Sequence, residues 1–167
     1  GSVATEDGLF SEVHVEKELS EEEAFVCEEE FLIPGLIDIH FHGCLGQDFC
    51  DGKREAIECL AKYEIEHGVT GICPATLTLA LEDLDTVLSL AKDYAKEGER
   101  PGEARLLGIN MEGPFISHVK KGAQNEKYIL KCDEKILTRF MESSGGLVKF
   151  VGLAPEENPN FEEFIKK

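Results

Sequence analysis

The chain has 167 residues, of which 42% are hydrophobic, enough for one globular domain with a sizeable core. Its 34 acidic and 17 basic residues give a net charge of −17, which disfavours nucleic acid and anionic lipid because their phosphates would be repelled. No apolar run approaches the roughly 20 residues of a membrane span and no secretion signal stands out, so we expect a cytoplasmic protein that binds neither membrane nor nucleic acid.

The first part of the chain, residues 3–33, is polar and strand-like. A turn signal stands at Asp7-Gly8, and hydrophobic and polar residues alternate around Val13-His14-Val15. Pro34-Gly35 then interrupts the chain, and a regular alternation of strands and helices follows. The pattern predicts a short β segment over 3–33 and an α/β domain over 34–167.

Four strand–helix units are predicted after residue 34. The strands are expected over 36–42, 69–75, 105–112 and 147–153, and each is followed by a segment with helical spacing of apolar residues. This order predicts a parallel sheet with helices outside it. Four units could close a small doubly wound sheet or form half of an eight-stranded barrel, and chain length does not choose between them.

The first of these strands ends in His40-Phe41-His42. Alternation along a strand places Asp38, His40 and His42 on one face and the apolar residues on the other, where helices would cover them. Two imidazoles on one face suit a borderline divalent metal. A lone His-x-His is about as often structural, but its position at the carboxyl end of a parallel strand favours metal ligation.

The third predicted strand ends in Glu112, which shares its face with Asn110. An inward carboxylate is costly to bury unless it is paired or bound to a metal. Metal ligation with His40 and His42 is favoured over a salt bridge to Lys120 or Lys121 in the following loop. Asp38 and Asn110 are then expected to lie buried beneath the metal as hydrogen-bonded residues. The lone His118 in that loop is expected to be solvated.

Several segments resemble a known family. Residues 34–43 are similar to the opening strand of the amidohydrolase superfamily. Glu-Gly-Pro-Phe at 112–115 and Lys-Gly-Ala at 121–123 are similar to the N-acetylglucosamine-6-phosphate deacetylases, and so are residues 68–71, 74–76 and 151–156. The combination of the two motifs separates this family from dihydroorotases and ureases.

The resemblance implies an α/β fold, namely about four units of a (β/α)8 TIM-type barrel, preceded by a short β-sandwich segment over 3–33. It implies that His40, His42 and Glu112 bind one or two divalent ions, zinc or iron. Some members lack the His-x-His pair and use one metal, so its presence favours a two-metal or alternative-site member. Ala123 and Gln124 take the positions of substrate contacts, although the family often has His where Gln124 stands.

The implied reaction is hydrolysis of N-acetylglucosamine 6-phosphate to glucosamine 6-phosphate and acetate in amino-sugar catabolism. The general acid/base aspartate and two more histidine ligands are expected beyond Lys167, so these 167 residues alone are expected to be inactive, with a homodimer as the full-length form. Two alternatives stay open: an amidohydrolase acting on a cyclic amide or another N-acyl sugar, and a non-catalytic half-barrel that serves as a binding or assembly module.

Overall fold

The structure, a computed structural model, describes residues 2–6, 9–14 and 33–166. It divides into two compact units, residues 1–34 and 35–167. In the first unit, β1 (Ser2–Glu6) and β2 (Leu9–His14) pair antiparallel with an irregularity between Ala4 and Thr5. Most of the segment predicted as a β-sandwich lies outside the described residues.

The second unit is mixed α/β. Its helices are α1 (Arg54–Glu66), α2 (Leu81–Lys96), α3 (Glu134–Ser144) and α4 (Phe161–Ile165). Its strands are β3 (Leu36–Asp38), β4 (Gly43–Cys44), β5 (Gln47–Asp48), β6 (Val69–Ile72), β7 (Arg105–Leu106), β8 (Ile109–Met111) and β9 (Val148–Val151). No helix in the described part of the chain has the length and apolar character to cross a membrane.

The parallel strands are neighbours in chain order. β6 pairs with β3 on one side and with β7 on the other, and β8 pairs with β9, all in parallel. A parallel bridge between Ala75 and Asn110 joins the continuation of β6 to β8. The predicted succession of parallel strands separated by helices is therefore present.

The first predicted strand, 36–42, ends early at Asp38. The carboxylate of Asp38 accepts a hydrogen bond from the His40 backbone N–H at 2.9 Å, a local turn that competes with regular strand geometry. Ile37 and Ile39 are 59% and 47% exposed, so the prediction that helices cover this apolar face was wrong for these two residues, whereas Phe41 on the same predicted face packs against the core. β3 pairs only with β6 among the described residues, which leaves its other edge uncovered.

The third predicted strand, 105–112, is also interrupted. Leu106 and Ile109 are both buried, whereas Leu107 between them is 36% exposed. Under strict alternation, two residues three positions apart lie on opposite faces of a strand. The alternation of side chains is therefore broken at 107–108. Alternation resumes in β8, and there it separates buried Met111 from half-buried Asn110.

A small hairpin after His42 was not predicted. β4 and β5 pair antiparallel, and a 3₁₀ turn, Phe49–Asp51, follows with Asp48 as its cap. Phe49 is buried in the core, and its backbone N–H donates to the His42 carbonyl at 2.8 Å. The hairpin thus returns the chain to the core and fixes the backbone at His42.

The core lies between the sheet and the helices. In α2 the buried residues Leu84, Val87, Leu88 and Ala91 recur at helical spacing and form one apolar face. The ends of α3 follow from its sequence, because Asp133 caps the first turn and Gly145 adopts a left-handed conformation (φ 62°) after the last.

Candidate metal centre

Three side chains meet beyond the carboxyl ends of β3 and β8. The Nε2 atoms of His40 and His42 lie 3.2 and 2.8 Å from the same oxygen, Oε2 of Glu112. One potential ligand atom from each residue falls within 4.8 Å of the other two. Within the described ranges this is the one such group of three or more His, Cys, Asp or Glu. The predicted convergence of these side chains is confirmed.

The backbone around both histidines is tied to neighbouring segments. The Asn110 amide donates to the Ile39 carbonyl at 2.8 Å, and the same nitrogen lies 3.3 Å from Nδ1 of His40. The Phe41 carbonyl accepts from the Ala75 backbone N–H at 2.7 Å. The segment that carries both histidines is therefore held by the chain that follows β6 and by β8.

Glu112 is fixed by the residues beside it. The Met111 carbonyl accepts from the Gly152 backbone N–H at 2.7 Å, which ties the end of β8 to β9. On the other side, Gly113 packs against Thr78 so closely that a Cβ at position 113 would collide with Thr78 Oγ1. Any larger residue at position 113 would therefore force Thr78 or the backbone next to Glu112 to shift.

The donor set fits a divalent cation. Nδ1 of His42 and Oε2 of Glu112 are buried atoms without a hydrogen-bond partner. The two Nε2 atoms lie 3.2 and 2.8 Å from Oε2 but form no hydrogen bond with it. A buried carboxylate oxygen without a donor is costly, and a cation would remove that cost. Two imidazoles and a carboxylate are ligands that zinc and iron accept.

Asp38 and Asn110 lie near the centre but are not in the group of converging ligands. Both are half-buried, less than predicted. Asp38 lies close enough to Glu64 of α1 to contribute, after burial, to the raised pKa of the Glu64 carboxyl. Asn110 lies on the side of His40, as its face in β8 predicted.

Ala123 and Gln124 occupy the loop between β8 and α3. Ala123 is exposed, whereas the Gln124 side chain is 5% exposed. Its Oε1 accepts from the Thr78 backbone N–H at 2.7 Å, so Gln124 supports the chain segment that packs on Gly113. Sequence reasoning missed this contact, because the two residues are 46 positions apart and no local pattern links them.

Lys121 and His118, both in the loop after Glu112, make contacts that were not predicted. Lys121, considered as a salt-bridge partner for Glu112, instead contacts the Gln124 carbonyl at 3.4 Å and Glu126 at 3.8 Å. His118 is partly exposed, but it is not merely solvated, because its Nδ1 lies 2.8 Å from Oε2 of Glu157.

The comparisons with known proteins point to one group of enzymes. No protein-family model matches the chain. It is 36% identical over 166 residues to N-acetylglucosamine-6-phosphate deacetylase from Bacillus subtilis (strain 168), which covers 97% of this chain and 42% of that protein. It is 30% identical over 128 residues to N-acetylgalactosamine-6-phosphate deacetylase from Escherichia coli O157:H7, which covers 77% of this chain and 33% of that protein.

A solved structure shows the same similarity. A mutant of N-acetyl-D-glucosamine-6-phosphate deacetylase from Mycobacterium smegmatis, in complex with N-acetyl-D-glucosamine-6-phosphate, superposes with a TM-score of 0.67 at 27% identity. The match covers 74% of this chain and 31% of that one. The chain thus spans less than half the length of the relatives that it matches.

Proposed function

We propose that this chain, which is homologous over most of its length to the N-acetylglucosamine-6-phosphate deacetylases, contributes part of the metal site of such an enzyme. The reaction is hydrolysis of the acetamide of N-acetylglucosamine 6-phosphate, which releases acetate and glucosamine 6-phosphate. The observation that carries the proposal is the convergence of His40, His42 and Glu112 beyond the carboxyl ends of parallel strands.

The three side chains would hold one or two divalent ions, zinc or iron. A bound ion supplies Lewis acidity and a water of lowered pKa, which is the chemistry that amide hydrolysis requires. The chain's own part is to present two imidazoles and one carboxylate in a fixed arrangement. Asn110 holds the backbone next to His40, and Gly113 allows Thr78 to pack next to Glu112.

The substrate would lie beside the loop between β8 and α3. Ala123 is exposed and can contact an amino-sugar phosphate directly. Gln124 is proposed to act at the same site, with its Oε1 engaged by Thr78 and its amide nitrogen as the remaining donor. A neutral amide can hydrogen-bond a sugar hydroxyl or a phosphate oxygen, although it cannot supply charge.

We further infer that residues 34–167 form about four units of a (β/α)8 barrel, with residues 3–33 belonging to a small β-sandwich. The chain order of β3, β6, β7, β8 and β9 as parallel neighbours supports the barrel assignment. A cytoplasmic location and a homodimer of the protein that contains this chain remain predictions. The free thiols of the described cysteines are consistent with a reducing compartment.

The test is deacetylation by the protein that contains this chain. The purified protein is loaded with zinc or ferrous iron, and acetate release from N-acetylglucosamine 6-phosphate is compared with that of the variants His42→Asn and His67→Asn. His67 lies at the end of α1, outside the metal centre, and serves as the matched control. We expect activity in the parent and in His67→Asn and its loss in His42→Asn. A metal-loaded parent that releases no acetate would contradict the proposal.

A second candidate is deacetylation of N-acetylgalactosamine 6-phosphate, which the Escherichia coli relative favours. The two substrates differ only in the configuration at one hydroxyl, so both would reach the same metal centre. Comparing kcat/KM for the two sugars decides between them. A preference of about tenfold or more for the galacto sugar, equal to about 1.4 kcal/mol, would reassign the substrate.

A further inference from the structure

The loop between β8 and α3, residues 115–131, is held by a short segment that follows β9. The Ala154 backbone N–H donates to the Phe115 carbonyl at 3.0 Å, at the start of the loop. Asn158, which is 1% exposed, accepts from the Cys132 backbone N–H at 2.7 Å, just after the end of the loop. Both ends of the loop are thus hydrogen-bonded to residues 154–158.

Glu157, in the same segment, binds residues within the loop itself. Its carboxylate accepts from Ser117 Oγ at 2.7 Å and from the His118 backbone N–H at 2.6 Å. The His118 ring and the Lys131 ammonium group approach the other oxygen at 2.8 and 3.3 Å. Lys131 also donates to the Glu157 carbonyl at 2.7 Å. Three residues from the two arms of the loop therefore meet at one carboxylate.

These donors keep the carboxylate charged. The hydrogen bonds from Ser117 and His118 lower the pKa of Glu157 to about 2, and Lys131 adds to the effect. Hydrogen bonds to a charged acceptor are stronger than those to a neutral one, so replacing the carboxylate with an amide weakens the contacts of the side chain and leaves the bond from Lys131 to the backbone carbonyl.

The loop leads to the metal centre through a short series of contacts. Gln124 binds the Thr78 backbone, Thr78 packs on Gly113, and Gly113 follows Glu112. Ala123 lies exposed beside Gln124. The position of Ala123 relative to Glu112 therefore depends on the hydrogen bonds that hold the loop.

We propose that Glu157 is a positioning residue for substrate binding, because it joins the two arms of the β8–α3 loop and so sets where Ala123 and Gln124 stand. Glu157 acts through the loop, because its contacts are to Ser117, His118 and Lys131 and none of these is a metal ligand. The inference rests on the proposed function for its substrate role, while the fastening of the loop can be measured without any activity.

The experiment compares Glu157→Gln with Glu163→Gln in the protein that contains this chain. Glu163 is exposed on α4 and provides the same charge change outside the loop contacts. Backbone hydrogen exchange over residues 116–131 measures how strongly the loop is held. Zinc content measures whether the metal centre is intact, and steady-state kinetics on N-acetylglucosamine 6-phosphate separate KM from kcat.

We expect Glu157→Gln to speed exchange in the loop, to raise KM about tenfold, the factor for one charge-assisted hydrogen bond, and to leave zinc content and kcat within twofold of the parent. Glu163→Gln should match the parent throughout. Unchanged exchange and KM in Glu157→Gln would overturn the proposal, and so would a loss of zinc, which would make the residue part of the metal centre's support. A parent without activity would overturn the proposed function and, with it, the role of Glu157 in substrate binding. Faster loop exchange in Glu157→Gln than in the parent would still show that Glu157 holds the loop.

Discussion

Glu112 Oε2 is approached by two imidazole nitrogens, Nε2 of His42 at 2.8 Å and Nε2 of His40 at 3.2 Å. Alternation along the chain placed these residues together correctly, even though the strand carrying the histidines ends at Asp38. The residues around them could not be foreseen, because the contacts of Asn110 with His40 and of Gln124 with Thr78 join distant parts of the chain. Position within a strand can be read locally, whereas a supporting contact requires the fold.

The metal ligands can be tested by replacing one imidazole at a time. We expect His40→Asn and His42→Asn to weaken zinc binding by more than the 10–100-fold that loss of a supporting residue typically costs, because each removes a ligand outright. Isothermal titration with zinc, or competition with a chelator, measures the change. His118→Asn is the control, since His118 contacts Glu157 instead of Glu112. Equal affinity in His42→Asn and the parent would remove His42 from the site.

Gly113 can be tested by adding a methyl group. Gly113→Ala should destabilise the fold by about 1–3 kcal/mol, because the new Cβ collides with Thr78 Oγ1 and forces a shift. The free energy of unfolding in urea measures the cost. Combining the change with Thr78→Ala should recover part of the loss, since the colliding oxygen is gone. Strict additivity of the two changes would show that the contact does not set the cost.

At the scale of whole elements, the helices follow local rules and the strands do not. The segments of helical spacing after the first three predicted strands are α1, α2 and α3 in the structure, because helical spacing is a local signal. The first strand ends after Asp38 because the Asp38 side chain forms a local turn with the His40 backbone. The third strand is interrupted at Leu107, where the alternation of buried and exposed side chains is broken. The β4–β5 hairpin escaped prediction because its strands have two residues each, too few for any periodicity.

The start of α3 provides a test of local capping. Asp133 accepts from the Lys135 and Ile136 backbone N–H groups at 2.7 and 3.4 Å. Asp133→Ala should lower the free energy of unfolding by about 1 kcal/mol, and Asp133→Asn should cost much less, because asparagine also caps helices. Lys53→Ala, at the uncapped start of α1, is the control. A cost for Lys53→Ala equal to that for Asp133→Ala would contradict a capping role.

The contact between α1 and the end of α2 should depend on pH. Arg54 and Arg100 donate to Glu97 and lower the pKa of its carboxyl from 4.5 to about 2. A lowered folded-state pKa means that the ion pairs stabilise the protein fully above about 4.5, and that this stabilisation is lost as the pH falls towards 2.

Thermal melts between pH 7 and 2 can detect this dependence. We expect Glu97→Gln to melt lower than the parent at pH 7 and to differ less from it as the pH falls towards 2. Because the pairs are exposed, the difference at pH 7 should be small and should shrink in salt. The control is Glu66→Gln, an exposed glutamate on α1. A constant difference between Glu97→Gln and the parent across the whole range would contradict the assignment.

For the molecule as a whole, the sheet exposes several large apolar side chains. Ile37 and Leu107 flank Gly71 on the sheet and are 59% and 36% exposed. Leu36, Ile39 and Phe150 are also between 40% and 52% exposed. Exposed strand edges and apolar patches favour association, so we expect the 167-residue chain to self-associate when it is isolated.

Sedimentation of the 167-residue chain tests this expectation. The parent should sediment as a dimer or larger species at micromolar concentration, and Ile37→Lys should shift it towards monomer. Ile165→Lys, which changes an exposed apolar residue on α4, is the control and should sediment like the parent. A parent that is monomeric at every concentration, with a cooperative melt, would contradict the expectation and favour a self-contained module.

The spacing of the metal-centre residues along the chain has a thermodynamic consequence. Glu112 is far from His40 in sequence, yet its Oε2 lies 3.2 Å from Nε2 of His40, so the unfolded chain rarely brings these two ligands together. The complete set of three ligands exists only in the folded chain, so an ion bound by all three stabilises the fold, and free ion at a hundredfold excess over its Kd would add at most about 2.7 kcal/mol to the free energy of unfolding. The melting temperature of the chain should then rise with the logarithm of free zinc concentration, so that heating in a metal buffer measures affinity without any substrate.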